Sequence, residues 1–463
     1  MRTNYAMSLE NDVSEVAERI CDADSVTVIS HIDADGITSE AILSQAITRA
    51  GIGSTPVFVR QLEPLTMHNV PEDTSLKVFV DLGAGQQNLL EERGLKEEEV
   101  VIIDHHVSQD VDTPYLQANG IPYGYTKLSA AGIAYFVSRE MDPANTDLSK
   151  LAVIGNVGDM MAREHCALVG PAREIVADGV RNGCIEVAER ELNCYGLSTR
   201  PVHVCLSYSD DPYIPNLSSN TSAALGFLER LGIRLRTSEG RWRVWEELEK
   251  DEKGTIVSAL TTQLLAHGKP IDRLFQEAYY FPGEPVPPLR NAPEFATVLN
   301  ACGRWAKPRV GSLVCKGDRG SAYREAEYML RHHRSVIREL VDYILDGGVE
   351  ELTHLQYTHV GGRFPDTIIG IGAGIALSKL NRRKPIMILC YLQDEPDLVK
   401  VSMRTNEERV REGIDLQEAL VIACEECGGS GGGHAIAAGA YIPKTAEKEF
   451  AYRVNRILEI QSA

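Results

Sequence analysis

Four groups of acids and imidazoles carry the chemical information in this 463-residue chain. His31-x-Asp33-x-Asp35-Gly36 follows the β-branched run Val26–Ser30. Asp81 ends the run Lys77–Asp81, and Asp104-His105-His106 ends the run that starts at Val100. Asp159 follows the apolar stretch from Leu151 to Val157. Hard carboxylates together with imidazole suit Mn2+, with Mg2+, Fe2+ and Co2+ as alternatives. Alternate residues after a strand, such as 31, 33 and 35, can splay around a bound ion. One Asp at a strand end is ordinarily a helix cap or loop acid, and a His-His pair alone is ordinarily a surface accident. Four such groups in this order, each at the end of an apolar run, point instead to one metal site.

For these groups to meet, their runs must be neighbours. Near-continuous Val/Ile runs alternating with helical stretches predict a buried parallel sheet. Ligands of such sheets bind beyond the C-terminal ends of the strands. The pattern predicts strands at Val26–Ser30, Val57–Arg60, Lys77–Asp81 and Val100–Asp104. It predicts helices over Thr38–Ala50 and over Ala131–Ser138, the second capped by Ser129. Met1–Ile20 reads as an acidic amphipathic helix. From 185 to 317 helices around Ser222–Leu231 and Thr255–Leu265 mix with loops, and Phe281–Pro288 is a break. A long helix over Ala322–Leu345 suits a connector. Beyond 350, a helix at Thr367–Leu380 and strands at Pro385–Tyr391 and Leu398–Met403 are expected. The glycine run Gly428–Gly433 then leads into His434 and an Ala/Gly helix.

Composition bounds the rest. With 47 Lys+Arg against 66 Asp+Glu the net charge is −19. That speaks against a generally basic nucleic-acid coat but not against a local site. Hydrophobic residues are 43% and charged residues 24%, which is globular rather than disordered. At roughly 100–200 residues per domain the chain holds two to four domains. No apolar run reaches the ~18 residues of a membrane span, so no membrane partner and a cytoplasmic location are expected. Ten cysteines are scattered, and Cys424-x-x-Cys427 has no second pair, so thiols rather than zinc or disulfides are expected.

Asp104-His105-His106 after an apolar strand, with the upstream His-x-Asp-x-Asp-Gly, Asp81 and Asp159, resembles the DHH phosphoesterase superfamily. Gly431-Gly432-Gly433-His434-x3-Ala438-Gly439 resembles the glycine-rich signature of the DHH-associated C-terminal domain, and Ser402-x-Arg404 resembles its second substrate motif. The length and the middle region, including Phe295-Ala296-x2-Leu299-Asn300-Ala301-Cys302-Gly303, resemble the archaeal RecJ-like single-strand-specific exonucleases, among them the GINS-associated nuclease. This resemblance implies an α/β fold with a mainly parallel catalytic sheet over 1–184, a mixed inserted domain over 185–317 and a connecting helix over 318–348. A smaller α/β DHH-associated domain over 349–463 would face the metal cleft. Two Mn2+ ions per site are implied, with Mg2+ or Co2+ as substitutes. His31, Asp33 and Asp81 would hold one, and Asp35, Asp81, His105 and Asp159 the other, with Asp81 bridging. His106 would meet the scissile phosphate and Asp104 would orient His105. Ser402, Arg404, Gly432, Gly433 and His434 would contact the nucleotide. The activity implied is an exonuclease for single-stranded DNA, taken as 5′→3′, with RNA as a second substrate, in replication or repair. The implied partners are GINS and the replicative helicase. Only 24 residues follow Gly439, fewer than the OB-fold of bacterial RecJ needs, so bacterial-style processivity is not expected.

Two other functions compete. A replisome scaffold would resemble the eukaryotic DHH-superfamily helicase cofactor, whose metal sites have decayed; here every ligand type is present. A phosphodiesterase for nanoRNA, pAp or cyclic dinucleotides would belong to shorter chains that lack the middle region. Three further motifs take ordinary readings. Gly370-x-Gly372-x-Gly374 reads as helix packing. His332-His333 reads as solvated or interdomain. Lys379–Lys384 reads as a solvated helix end, with a nucleic-acid rim contact as its alternative.

Overall fold

The computed structural model describes residues 8–64, 66–111, 115–209, 211–392 and 395–462, excepting the side chains of His333 and Arg334. Two units divide the chain. One comprises residues up to 62, 69–300 and 308–323; the other comprises 63–68, 301–307 and 324 onward.

In the first unit β1 (Ser25–Ser30), β2 (Gly53–Phe58), β3 (Leu76–Val80), β4 (Val100–Ile103) and β5 (Leu116–Ala118) form a parallel sheet. Its order is β2-β1-β3-β4-β5. β3 and β4 are buried along their whole length; residues 78–80 and Val100–Ile103 are apolar throughout, and the buried Lys77 amine is satisfied by Asp73 and Ser75. β2 begins at Gly53 rather than Val57. It is an edge strand, so Pro56 breaks no inner ladder there, and that proline had masked the strand.

Around the sheet run α1 (Leu9–Cys21), α2 (Ala34–Arg49), α3 (Gln87–Glu92), α4 (Ala130–Met141), α5 (Ser149–Gly158) and α6 (Pro171–Asn182). The helix expected within Met1–Ile20 is α1; Met1–Met7 lie outside the described residues. α2 starts four residues earlier than the apolar pattern indicated, because Asp33 caps it by accepting from Gly36 N at 3.0 Å. The 31–35 segment is therefore not an extended splay: His31 precedes the helix, Asp33 caps it and Asp35 lies in its first turn. Ser129 stands at the N-cap of α4 but makes no side-chain cap bond.

An antiparallel ribbon of β6 (Glu186–Leu192) and β7 (Phe275–Tyr280) encloses a helical insertion. α7 (Val202–Ser207), α8 (Thr221–Arg230) and α9 (Lys250–Ala266) pack there around Leu206, Leu228, Trp245, Ile256 and Leu260. α10 (Ala292–Arg304) and α11 (Pro308–Cys315) follow. α11 lies on α2, where fully buried Glu40 accepts from Ser312 Oγ and, at 2.7 Å, from Lys316 Nζ.

The second unit holds α12 (Ser321–Gly347), which begins at the end of the first, then β8 (Glu350–Glu351), β9 (Gln356–His359), α13 (Ile369–Leu377), β10 (Ile386–Tyr391) and β11 (Leu398–Arg404). α14 (Glu407–Arg411), α15 (Leu416–Cys427), β12 (Ser430–His434), β13 (Ala437–Pro443) and α16 (Glu447–Gln461) complete it. The mixed sheet runs β12-β13-β11-β10-β9-β8, with β9 and β10 parallel. Met387, Val401 and Met403 pack with α15 and α16, while Ile386, Ile388 and Cys390 pack with α12 and α13. The Ala/Gly helix expected after His434 is the hairpin β12–β13 instead. Gly433, at φ +137°, brings its Cα against Ala437 O, and a Cβ there would lie 2.6 Å from that oxygen. Small residues read as helix on propensity alone, but here they let two backbones close on each other.

Buried Glu284, after the ribbon, accepts from Arg319 at 2.6 and 2.8 Å and pairs with Lys150 in the first turn of α5. Burial opposes its charge, but Arg319 and Lys150 hold its carboxyl below the ordinary range. Glu284→Ala leaves two cations without their acid and is expected to cost about 3–5 kcal/mol in denaturant unfolding. A loss under about 1 kcal/mol would contradict this.

Candidate metal centre

The parallel ladder continues one step past the strands. His31 N donates to Val80 O, Asp81 N to Ile103 O and Asp104 N to Ala118 O. Three strand ends therefore deliver their acids and imidazoles at one level, around the place between β1 and β3 where the strand order reverses. Asp159 arrives differently. It caps the C-terminus of α5, so a helix and not a strand supplies it.

The side chains converge. His31 Nδ1 lies 3.2 Å from both Asp33 Oδ2 and Asp81 Oδ2. His105 Nε2 lies 3.2 Å from Asp81 Oδ1, 3.4 Å from Asp159 Oδ2 and 3.8 Å from Asp35 Oδ2. Three overlapping sets of mutually close ligand atoms result, His31–Asp33–Asp81, Asp35–His105–Asp159 and Asp81–Asp104–His105–His106; Asp81 belongs to the first and third and lies 3.2 Å from His105 of the second. Asp81 holds φ at +60°, a strained value for a non-glycine residue that Asp tolerates better than most.

Whether a cation fits can be judged from His105. Its Nε2 is buried, surrounded by three carboxylates, and in hydrogen-bond geometry with none of them. A buried ring nitrogen directed among carboxylates, able to give up its proton to a cation, is a ligand's arrangement, and the N/O donor set is that of a divalent-metal site.

Asp35 has a second task. Its oxygens accept from Ala130 N at 2.9 Å and Ala131 N at 3.0 Å, so this carboxylate caps α4 where Ser129 does not. Asp104 is saturated. It accepts from Ala84 N at 3.0 Å, His105 N at 2.8 Å and His106 Nδ1 at 2.8 Å. The ring it orients is thus that of His106, not His105. His106 keeps its other nitrogen toward solvent, with the side chain 58% exposed.

Several supporting residues escaped the sequence reading. Asn300 Oδ1 accepts from Ala34 N at 2.9 Å and fixes the turn between Asp33 and Asp35. In the sequence it stands within the 295–303 motif, without a local signal of this contact. Asn119 holds His106 O at 2.8 Å. Gly155 lets α5 close on α2, since a Cβ there would meet Asp35 Oδ1 at 2.7 Å. Neither of these last two carries a sequence signal.

The groups shift one another's protonation. Burial works against charge on His31, but Asp33 and Asp81 outweigh it and hold the imidazole well above its ordinary range. Burial opposes charge on Asp33 too, yet His31 beside it keeps the carboxyl far below the usual range. Burial and the adjacent Asp81 push Asp35 well up. Burial pushes Asp159 up to about 6 against the pull of His105. Burial lowers His105, but Asp81, Asp35 and Asp159 carry it up to about 10. The bond to Asp104 raises His106.

In the second unit Ser402, Arg404, Gly432 and His434 share one sheet face. Ser402, Gly439 and Gly432 form one row across three strands, and Arg404, Ala437 and His434 the next. Gly433 stands in the row of buried Met403 and Ala438 and belongs to the opposite face. Arg404 donates to Met403 O at 2.7 Å and Ser402 Oγ at 3.4 Å, and pairs with no carboxylate among the described residues. Gly370 of α13 makes room for it, because a Cβ there would lie 2.4 Å from Arg404 Nη2. Gly372 does the same for Leu340, so the glycine run serves helix packing. His332 stacks on Tyr328, with ring centroids 3.9 Å apart, and is exposed; the side chain of His333 lies outside the described residues. Cys424 and Cys427 are free thiols and join no metal-ligand group among the described residues. Lys384 pairs with Glu351. No helix among the described residues is long and apolar enough to cross a membrane.

Comparison with known proteins places this geometry. The DHH family N-terminal domain matches residues 25–156, the DHH-CID domain 194–276 and the DHHA1 domain 355–459. Exonuclease RecJ bound to manganese superposes with a TM-score of 0.57 at 15% identity, covering 98% of this chain and 94% of that one. This chain belongs to the DHH superfamily and has a RecJ-like fold. CDC45 from Entamoeba histolytica shares the fold at a TM-score of 0.61 and 12% identity, covering 98% and 99% of the two chains. RecJ from Thermus thermophilus in complex with Mn2+ gives 0.55 at 15% identity, and the match covers 98% of this chain but 55% of that one. An uncharacterized protein of Methanocaldococcus jannaschii is 27% identical over 444 residues, 94% of this chain and 93% of its own. The superfamily's activity class is divalent-metal-dependent phosphoester hydrolysis.

A divalent cation bound here would displace protons, because the neighbouring carboxylates raise His31 and carry His105 up to about 10. Acid therefore weakens binding further as Asp159 protonates below about 6. Calorimetric titration with Mn2+ in buffers of different ionisation heat is expected to show proton release at pH 7 and affinity that rises from pH 5 to 8. Affinity independent of pH with no proton release would contradict the assignment of these groups.

Proposed function

We propose that this protein is a two-metal exonuclease that degrades single-stranded DNA, with 5′→3′ as the working polarity and RNA as a second substrate, in DNA replication or repair. The supporting observation is Asp81, whose two oxygens reach two separate ligand groups at once. In this reading 1–184 is the catalytic domain, 185–317 the insertion, 318–348 the connector and 349–463 the substrate-binding domain.

His31, Asp33 and Asp81 would hold one Mn2+, and Asp35, Asp81, His105 and Asp159 the other, with Mg2+ or Co2+ able to substitute. When bound, such a pair supplies Lewis-acid activation of water and neutralises charge on the phosphate. The chain's own residues do the rest. Asp104 accepts from His106 Nδ1 and favours the imidazolium, whose Nε2–H can donate to a non-bridging phosphate oxygen. The Arg404 guanidinium, paired with no carboxylate among the described residues, suits bidentate contact with a phosphate, with Ser402 beside it. Gly432, where no atom lies within 4 Å of a Cβ position, leaves an open backbone for an anion to approach, and His434 shares that face. Gly433 contributes through the backbone turn it permits.

A second reading is a replisome scaffold that binds GINS and the replicative helicase. The likeness to CDC45 supports it, and it is compatible with nuclease activity in the same chain.

The exonuclease reading expects stepwise loss of a labelled single-stranded oligonucleotide with Mn2+. Asp104→Ala and Asp35→Asn, checked by circular dichroism for intact folding, should each slow hydrolysis about 100-fold. Cleavage at the wild-type rate by either folded variant would remove the assignment.

A further inference from the structure

The turn that leaves the metal centre borders a second cavity, wholly within the first unit. Val157 and Met160, on either side of Asp159 in sequence, line a space of about 270 Å3 whose far wall is the helical insertion. Tyr195, Tyr208 and Asn193 come from that insertion, and Arg163 from the turn after Asp159. Met160 is 57% exposed and holds a positive φ of 63°.

Three observations give the cavity a chemical character. The first is a cation–aromatic stack: the Arg200 guanidinium lies 4.6 Å from the Tyr195 ring centroid and 4.9 Å from that of Tyr208. Tyr208, at the C-cap of α7, is nonetheless 59% exposed. The second is rigidity. Arg273 donates to Arg163 O at 2.6 Å and to Glu164 O at 3.1 Å while gripping Asp211 of the insertion, so both walls are tied together. The third is charge. Asp211 pairs with Arg273 and Glu164 with Lys127, and Arg163 and Arg200 pair with no carboxylate among the described residues; Asp159 and the buried Glu294 beside Tyr195 are the other acids nearby. Arg163 in the lining and Arg200 against the two tyrosines are thus available to a phosphate.

We propose that this cavity is a nucleotide subsite for a single strand, in which a base stacks on Tyr208 and the adjoining phosphate lies against Arg163 and Arg200. The space takes one flat ring, not a protein surface, which would need several hundred Å2 of contact. Stacking on tyrosine tolerates any base, as an exonuclease that moves along a strand requires. The subsite deepens the exonuclease reading and rests on it for the identity of the strand. It adds a hold on the substrate beside the metal ligand Asp159, contributed jointly by the catalytic sheet's own turn and the insertion.

Fluorescence anisotropy of a labelled thymidine dodecamer with the full chain, without divalent metal, reads binding apart from cleavage. Tyr208→Ala and Arg163→Ala are each expected to weaken binding about tenfold. Tyr208→Trp should restore wild-type binding. Tyr452→Ala, an exposed aromatic on α16, should bind as the wild type does. Wild-type binding by Tyr208→Ala, failure of Tyr208→Trp to restore it, or no binding by the wild type would overturn the subsite. If the binding differences hold but the wild type degrades no oligonucleotide with Mn2+, the exonuclease reading falls and the subsite stands.

Discussion

One buried carboxylate, that of Asp81, is shared between two imidazoles, and most of the first unit is arranged around it. Its oxygens lie 3.2 Å from His31 and 3.2 Å from His105. For that to happen β1, β3 and β4 must end at one level, which their parallel register ensures. A slip of one residue would turn every side chain of a strand to the other face. The left-handed backbone at Asp81 costs about 1–2 kcal/mol for an ordinary residue, less for Asp. The parts nearby are tied in turn: Asn300 holds the 33–35 turn, Asp35 caps α4, and Glu40 joins α2 to α11 through Lys316. Metal chemistry at this centre depends on packing spread over 300 residues of chain.

What the sequence made legible follows from which forces act locally. Val100–Ile103 and residues 78–80 are apolar on both faces, so they announce a buried parallel sheet, and the acids at their ends announce the ligand edge. Asp159 was readable as a participant but not as the cap of a helix, because the apolar run 151–157 fits either element. Asp35 as the cap of α4 joins residues 95 apart in sequence and has no local signature. Ser129 had the right type at the right place, yet a charged acceptor from α2 took its task. The glycine-rich hairpin was misread since small residues suit helix and close strand contact alike, and register with β11 decided between them.

The net charge of −19 first argued against a nucleic-acid enzyme. Asp33, Asp35, Asp81, Asp104 and Asp159 now account for a concentrated part of it, at a place where two divalent cations, when bound, would offset most of that charge. Away from that centre some guanidinium groups pair with no carboxylate among the described residues. Arg404 has room beside Gly370, and Arg200 lies between two tyrosines. Local arrangement, not total charge, decides what such a surface attracts.

The most direct measurement is anomalous diffraction from crystals grown with Mn2+. Two peaks about 3.5–4 Å apart are expected, one within coordination distance of His31 and Asp33, the other of Asp35, His105 and Asp159, with Asp81 touching both. A single peak, or two peaks that leave Asp81 beyond coordination distance of either, would contradict the shared carboxylate as the centre of this protein's chemistry.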